Sequence, residues 1–187
     1  MVAISVCPSL ESISVDSCPK LESLLEMGLA SNLKVLQIYY CEKLWQDRMN
    51  WDLQRLSSLQ SLYLNGIVDL FPEEGLLPTT LTSLTIYRFK NLKGLNGRAF
   101  QHLNSLQNLE IGYCRELECL PQEGLPLSLS FLRIGHCPVL KQRCQRGTGE
   151  DWPKIQHIPK ITIDFQAIWW AFNIGFSILK IRQFDQV

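Results

Sequence analysis

The chain has 187 residues, 46% of them hydrophobic, which suits one domain with a sizeable buried core. Eighteen basic residues against eighteen acidic ones leave none of the excess positive charge that nucleic-acid phosphates or an anionic membrane surface demand, so the expected partner is another protein. Met1 leads into Val2, Ala3, Ile4 and Ser5 without a basic start or an apolar run ending at a cleavage site. The seven cysteines are an odd number and no Asn-x-Ser/Thr sequon occurs, so a cytoplasmic location is expected.

From the N-terminus, Val2, Ile4, Cys7 and Leu10 read as the second half of a motif. Ile4 to Val15 is only 11 residues, too short for a full turn, and nothing before Leu10 resembles a cap, so the chain reads as a fragment with a truncated first repeat. The motif L-x-x-L-x-L-x-x-C then runs through the chain. Its copies are Leu10, Ile13, Val15, Cys18; Leu33, Leu36, Ile38, Cys41; Leu59, Leu62, Leu64, Ile67; Leu81, Leu84, Ile86, Phe89; Leu106, Leu109, Ile111, Cys114; and Leu129, Leu132, Ile134, Cys137. Val15 to Ile38 is 23 residues, followed by steps of 26, 22, 25 and 23, within the ~20 to 29 of leucine-rich repeats.

The L-x-L alternation puts two side chains on one face of a short strand and their neighbours on the other. One such strand buries little alone, so the turns must stack. The predicted fold is an α/β solenoid, a leucine-rich-repeat horseshoe with a concave parallel sheet and short helical or irregular convex segments. Between strands, Leu53/Leu56 within 50–56 and Phe100/Leu103 within 97–103 have the spacing of three that suits a helical or 3₁₀ turn. The returns over 72–78 and 121–126 carry Pro at both ends and an internal Gly, which predicts irregular loops.

About six repeats and a C-terminal cap from residue 141 give a repeat domain over 1–164. In the cap, Trp152, Ile155, Ile158, Ile161 and Ile163 are expected to cover the last repeat, with Pro153 and Pro159 preventing continued regular pairing. An atypical apolar tail follows over 165–187. Its run from Ala167 to Leu179 is shorter than the ~20 residues of a bilayer span, so an added amphipathic helix or an altered gene end is expected in preference to a membrane anchor.

Cys18, Cys41, Cys114 and Cys137 recur at one motif position, which assigns them to the turn after the strand rather than to zinc. His136 beside Cys137 invites a nucleophile pair, but adjacent strand residues face opposite ways and no oxyanion-stabilising group accompanies them. No catalytic residue, metal or cofactor is therefore assigned. Alternation puts the protein-binding candidates on the concave face: Val35, Gln37 and Tyr39; Ser61, Tyr63 and Asn65; Ser83, Thr85 and Tyr87; Asn108 and Glu110; and Phe131 and Arg133. Tyr, Phe and Arg are enriched at protein interfaces, although an ordinary solvated sheet face is the competing reading.

Residues 75–86, Gly-Leu-Leu-Pro-Thr-Thr-Leu-Thr-Ser-Leu-Thr-Ile, and 117–126, Leu-Glu-Cys-Leu-Pro-Gln-Glu-Gly-Leu-Pro, resemble the C-terminal repeats of plant coiled-coil nucleotide-binding leucine-rich-repeat disease resistance proteins. So does the order Cys137-Pro138-Val139-Leu140, Arg143-Cys144, then Gly149 through Ile155, His157-Ile158-Pro159 and Ile161 through Asp164. The resemblance covers roughly residues 4 to 164. It implies a protein-binding, non-enzymatic repeat region that recognises a pathogen effector or a guarded host protein, or restrains the receptor's own nucleotide-binding domain. That domain would hold ADP or ATP, and the chain carries no G-x-x-x-x-G-K-[ST] phosphate loop. Two alternatives remain: the substrate-binding arm of a ubiquitin-ligase adaptor, and an ectodomain fragment of a receptor-like protein.

Overall fold

The computed structural model describes residues 10–164 and 179–182. All six motif copies form strands where the alternation places them: β1 (Ser12–Asp16), β2 (Val35–Tyr39), β3 (Ser61–Leu64), β5 (Ser83–Tyr87), β7 (Asn108–Gly112) and β8 (Phe131–Gly135). They pair in parallel in chain order, with β9 (Lys160–Ile163) on β8 and β10 (Leu179–Arg182) on the far edge of β1. Register follows the motif without slippage: Leu36, Leu62, Leu84, Leu109 and Leu132 align, and so do Ile38, Leu64, Ile86, Ile111 and Ile134. A one-residue slip would turn every leucine out of the core, which is why one face fixes the register of all the strands.

Those two rows are fully buried or within 1% of it, as are Leu33, Leu59, Leu81 and Leu106 at the first motif position. The motif cysteines fill the turn behind them, donating weakly to carbonyls. Cys41 Sγ reaches Tyr39 O at 3.1 Å and Val15 O at 3.9 Å; Cys137 Sγ reaches Gly135 O at 3.3 Å and Ile111 O at 3.9 Å. Each of these two thiols therefore joins its own strand end to the preceding repeat. Where the motif carries Phe89 instead, the ring packs into an aromatic cluster. Trp45 meets Trp51, Phe71 and Phe89 edge-on at centroid distances of 5.0, 5.9 and 5.1 Å, and its Nε1 donates to Asn65 O at 2.9 Å. Gly66 is required beside it, because a Cβ there would lie 2.5 Å from the indole.

The returns differ as their chemistry predicts. Leu53–Arg55 is a 3₁₀ turn and α1 (Gly97–Gln101) a short helix, with Leu53, Leu56, Phe100 and Leu103 buried, whereas 72–78 and 121–126 contain no regular helix or strand. Two features go beyond the expected pattern. Lys43–Asn50 is a broken 3₁₀ segment interrupted at Asp47, burying Leu44 and Trp45, and β4 (Leu70–Phe71) pairs with β6 (Gly94–Leu95) in a separate two-stranded sheet.

The cap contains α2 (Pro138–Arg143) and α3 (Trp152–Ile155), and it corrects one expectation. Pairing continues past Pro159, because proline removes only its own amide and β9 begins at the next residue, so Ile161 and Ile163 extend the sheet in register with Leu132 and Ile134. Asp151, fully buried, ties the cap together. It accepts from the Leu120 amide at 2.8 Å, from Arg143 Nε at 3.2 Å and from Lys154 Nζ at 2.8 Å. Burial alone opposes its charge, but these donors outweigh burial and hold the carboxyl below its ordinary range. Of the tail over 165–187, for which an added amphipathic helix is one expectation, only 179–182 falls among the described residues, and the half motif before Leu10 lies outside them. Leu179, the last residue of that apolar run, begins β10.

Candidate protein-binding face

The register sorts the sequence candidates into rows across the open face of the sheet. Val35, Ser61, Ser83, Asn108 and Phe131 form the first, and Gln37, Tyr63, Thr85, Glu110 and Arg133 the second. Tyr39 and Tyr87 stand one pleat further on, opposite Asp16 and Gly112 respectively. Most of these residues are half-buried by their neighbours, while Thr85, Glu110 and Asn65 are buried. Desolvation raises the hydroxyl pKa of Tyr39, Tyr63 and Tyr87, so all three stay neutral donors at physiological pH.

The sheet brings Glu110 and Arg133 together at 3.3 Å, and Phe131 lies under both Arg133 and Lys160, at 5.4 and 5.3 Å from its centroid. Burial raises the Glu110 pKa in spite of Arg133, and Arg133 Nε is buried without a hydrogen-bond partner among the described residues. This end of the face therefore has unspent hydrogen-bonding capacity. Asn65 is placed differently. It follows β3, accepts from the Tyr40 amide at 3.3 Å and donates to Arg88 O at 3.4 Å, so its side chain links neighbouring turns.

Burial pushes the thiols of motif Cys41 and of Cys144 in the cap up to about 12, and a hydrogen bond with Cys137 together with burial raises that of Cys114, while the same hydrogen bond lowers that of Cys137. The raised thiols of Cys41, Cys114 and Cys144 carry almost no thiolate at neutral pH. His136 is exposed while Cys137 is buried, so the two side chains point apart. Among the described residues all six cysteines are free, and no cluster of His, Cys, Asp and Glu converges to hold a metal ion.

Strand alternation missed a second surface. The residue just before the motif cysteine or phenylalanine takes a left-handed conformation in turn after turn: Ser17, Tyr40, Arg88, Tyr113 and His136 all have φ between 53° and 56°. The two-residue period ends there, so these side chains leave the face and project from the rim at the C-terminal ends of the strands. Their amides stay bonded to the neighbouring turn, Arg88 N to Gly112 O at 2.8 Å and Tyr113 N to Gly135 O at 2.9 Å. The legible signal was their constant place one residue before the motif position.

Parallel strands at a 22 to 26 residue period, with buried leucine rows and a turn cysteine, define a leucine-rich-repeat protein of α/β character with few helices. No family model matches the chain. A disease resistance protein of Arabidopsis thaliana is 38% identical over 84% of the chain, and disease resistance protein RGA4 of Solanum bulbocastanum is 44% identical over 28%. The Arabidopsis protein named for variation in compound-triggered root growth response is 44% identical over 59%. The chain belongs with the plant disease resistance proteins, as its resemblance to their C-terminal repeats implies. It spans 13%, 6% and 9% of the lengths of these three relatives. No helix among the described residues is long and apolar enough to cross a membrane.

Proposed function

We propose that the chain is the protein-recognition segment of an intracellular plant immune receptor, with its parallel sheet as the inner face of a curved solenoid. The open face contacts an effector, a guarded host protein or the receptor's own nucleotide-binding domain. The observation that carries this reading is the alignment of Tyr39, Tyr63 and Tyr87 with Phe131, Glu110 and the incompletely paired Arg133 on one surface. Half-buried aromatics and arginine give a partner contact area and directed hydrogen bonds at small cost in side-chain ordering. Catalysis is no part of this role, and ADP or ATP would bind the receptor's nucleotide-binding domain outside this chain.

The test places Tyr39→Ala, Tyr63→Ala and Arg133→Ala together in a full-length receptor, with Glu74→Ala and Gln122→Ala on the returns as controls. Since anchors at hot spots commonly cost at least ~2 kcal/mol on truncation, the face variant should lose effector response or signal without effector at unchanged abundance. A face variant that behaves like wild type, beside controls that do not, would move recognition to the other side of the repeats.

A further inference from the structure

The rim at the C-terminal strand ends forms a groove that the open-face reading does not use. A cavity of about 460 Å³ is lined by Tyr40, Trp45, Ile67, Arg88 and Tyr113 among others, and a neighbouring one continues past Tyr113 and Arg115 to His136. Tyr40 is 48% exposed and Ile67 39%. Three cations line the first cavity, Arg88, Lys90 and Arg115, against two carboxylates, Glu42 and Glu116, and no ion pair links any of them among the described residues.

Arg88 is the organised member. Its Nη1 donates to the Tyr40 hydroxyl at 3.0 Å, and its guanidinium carbon stands 5.2 Å from the Tyr87 centroid and 5.4 Å from that of Tyr113. Tyr113 is held in turn by Tyr87 at 5.1 Å and by the stacked His136 ring at 4.2 Å. The left-handed backbone fixes where these side chains start, and the stacking fixes where they end. An exposed guanidinium whose partners are tyrosines keeps donors free in the planar fork that matches a carboxylate.

We propose that this rim groove binds an acidic, extended segment of a partner protein, seating a carboxylate on Arg88 and apolar side chains against Tyr40, Ile67 and Tyr113. The inference stands whether or not the open face is an interface. Length favours a peptide over a small anion: Tyr40 to His136 crosses four strand spacings, roughly 19 Å, which about six extended residues span.

The test measures anisotropy of a fluorescein-labelled ten-residue peptide of alternating Glu and Ala against the whole chain, with a Gln-for-Glu counterpart. The acidic peptide should bind at least about tenfold more tightly and weaken with salt. Arg88→Gln should remove most of that difference, while Arg98→Gln, an equal charge loss on α1, should leave it; circular dichroism would show both variants folded. Equal binding of the two peptides, or equal effects of the two substitutions, overturns the proposal. Self-association in sedimentation that excludes the peptide also overturns it, in favour of a second copy of the chain.

Discussion

The open face and the rim are built from the same turns yet supported in different ways. On the face, each side chain stands on a strand bonded on both sides, and neighbours half-bury it; Glu110 and Arg133 already satisfy part of each other. At the rim, each residue follows the strand and takes a left-handed backbone; Tyr113 stacks on His136 of the next turn and Arg88 donates to the Tyr40 hydroxyl. The contrast teaches that a repeat can present two surfaces with separate sequence rules, one set by alternation and one by the turn.

Both surfaces depend on the leucine rows, so the largest effect should come from beneath them. Leu109→Ala, at a fully buried position, should cost about 2 to 5 kcal/mol by loss of packing and the cavity left behind, while exposed Gln107→Ala should be nearly silent. Denaturant midpoints compare the two. Equal midpoints would break the assigned register and with it the placing of both surfaces.

The cap should affect the surfaces unequally. Asp151→Asn removes the charge that Arg143 and Lys154 share and should cost about 2 to 3 kcal/mol, because hydrogen bonds to charged groups exceed the ordinary. Hydrogen exchange should then rise first around Phe131 to Ile134 and least around Tyr39, since repeats couple mainly to their neighbours. The pH dependence has a definite sign. The folded carboxyl titrates below its ordinary 3.8, so its stabilisation is present above that value and is lost as pH falls through the lower folded value. A wild-type chain that loses no more stability than Asp151→Asn below pH about 4 would sink this assignment.

The smallest effects should separate face from rim. Both His136→Val and His136→Asn lose the stack on Tyr113, but His136→Val also puts a β-branched residue at φ 55° and should cost about 1 kcal/mol more than His136→Asn, because asparagine tolerates the left-handed region. On the face, Glu110→Gln should change stability by under about 1 kcal/mol at neutral pH, since the carboxylate is already disfavoured by burial. Thermal unfolding at pH 7 checks all three. If His136→Val matched His136→Asn, backbone strain would not distinguish the rim.

Much of this architecture was legible because a period-two pattern repeated every 22 to 26 residues leaves little freedom. Leu36, Leu62 and Leu84 can all be buried only in one register, and the paired Leu53/Leu56 and Phe100/Leu103 announced their turns. The candidate face followed from the same rule, apart from Asn65, whose position beyond the strand end gave it a backbone partner on either side. The segment Lys43–Asn50 was harder to read, because its burial rests on Trp45 meeting the adjoining Trp51 and also Phe71 and Phe89 from two other stretches of the chain.

By itself, then, the sequence determined which residues go inside, in what order the strands stack and to which proteins the chain is related, since each follows from local spacing or local words. Tertiary structure alone decided that β9 joins the sheet after Pro159, that Asp151 lies buried among Arg143, Lys154 and the Leu120 amide, and that Arg88 meets Tyr40 across 48 residues. The β8–β9 pairing and the bonds from the Leu120 amide to Asp151 and from Arg88 to Tyr40 link positions one or more turns apart, and their geometry comes from the stacking distance between strands and the hand of each turn, which no single repeat encodes.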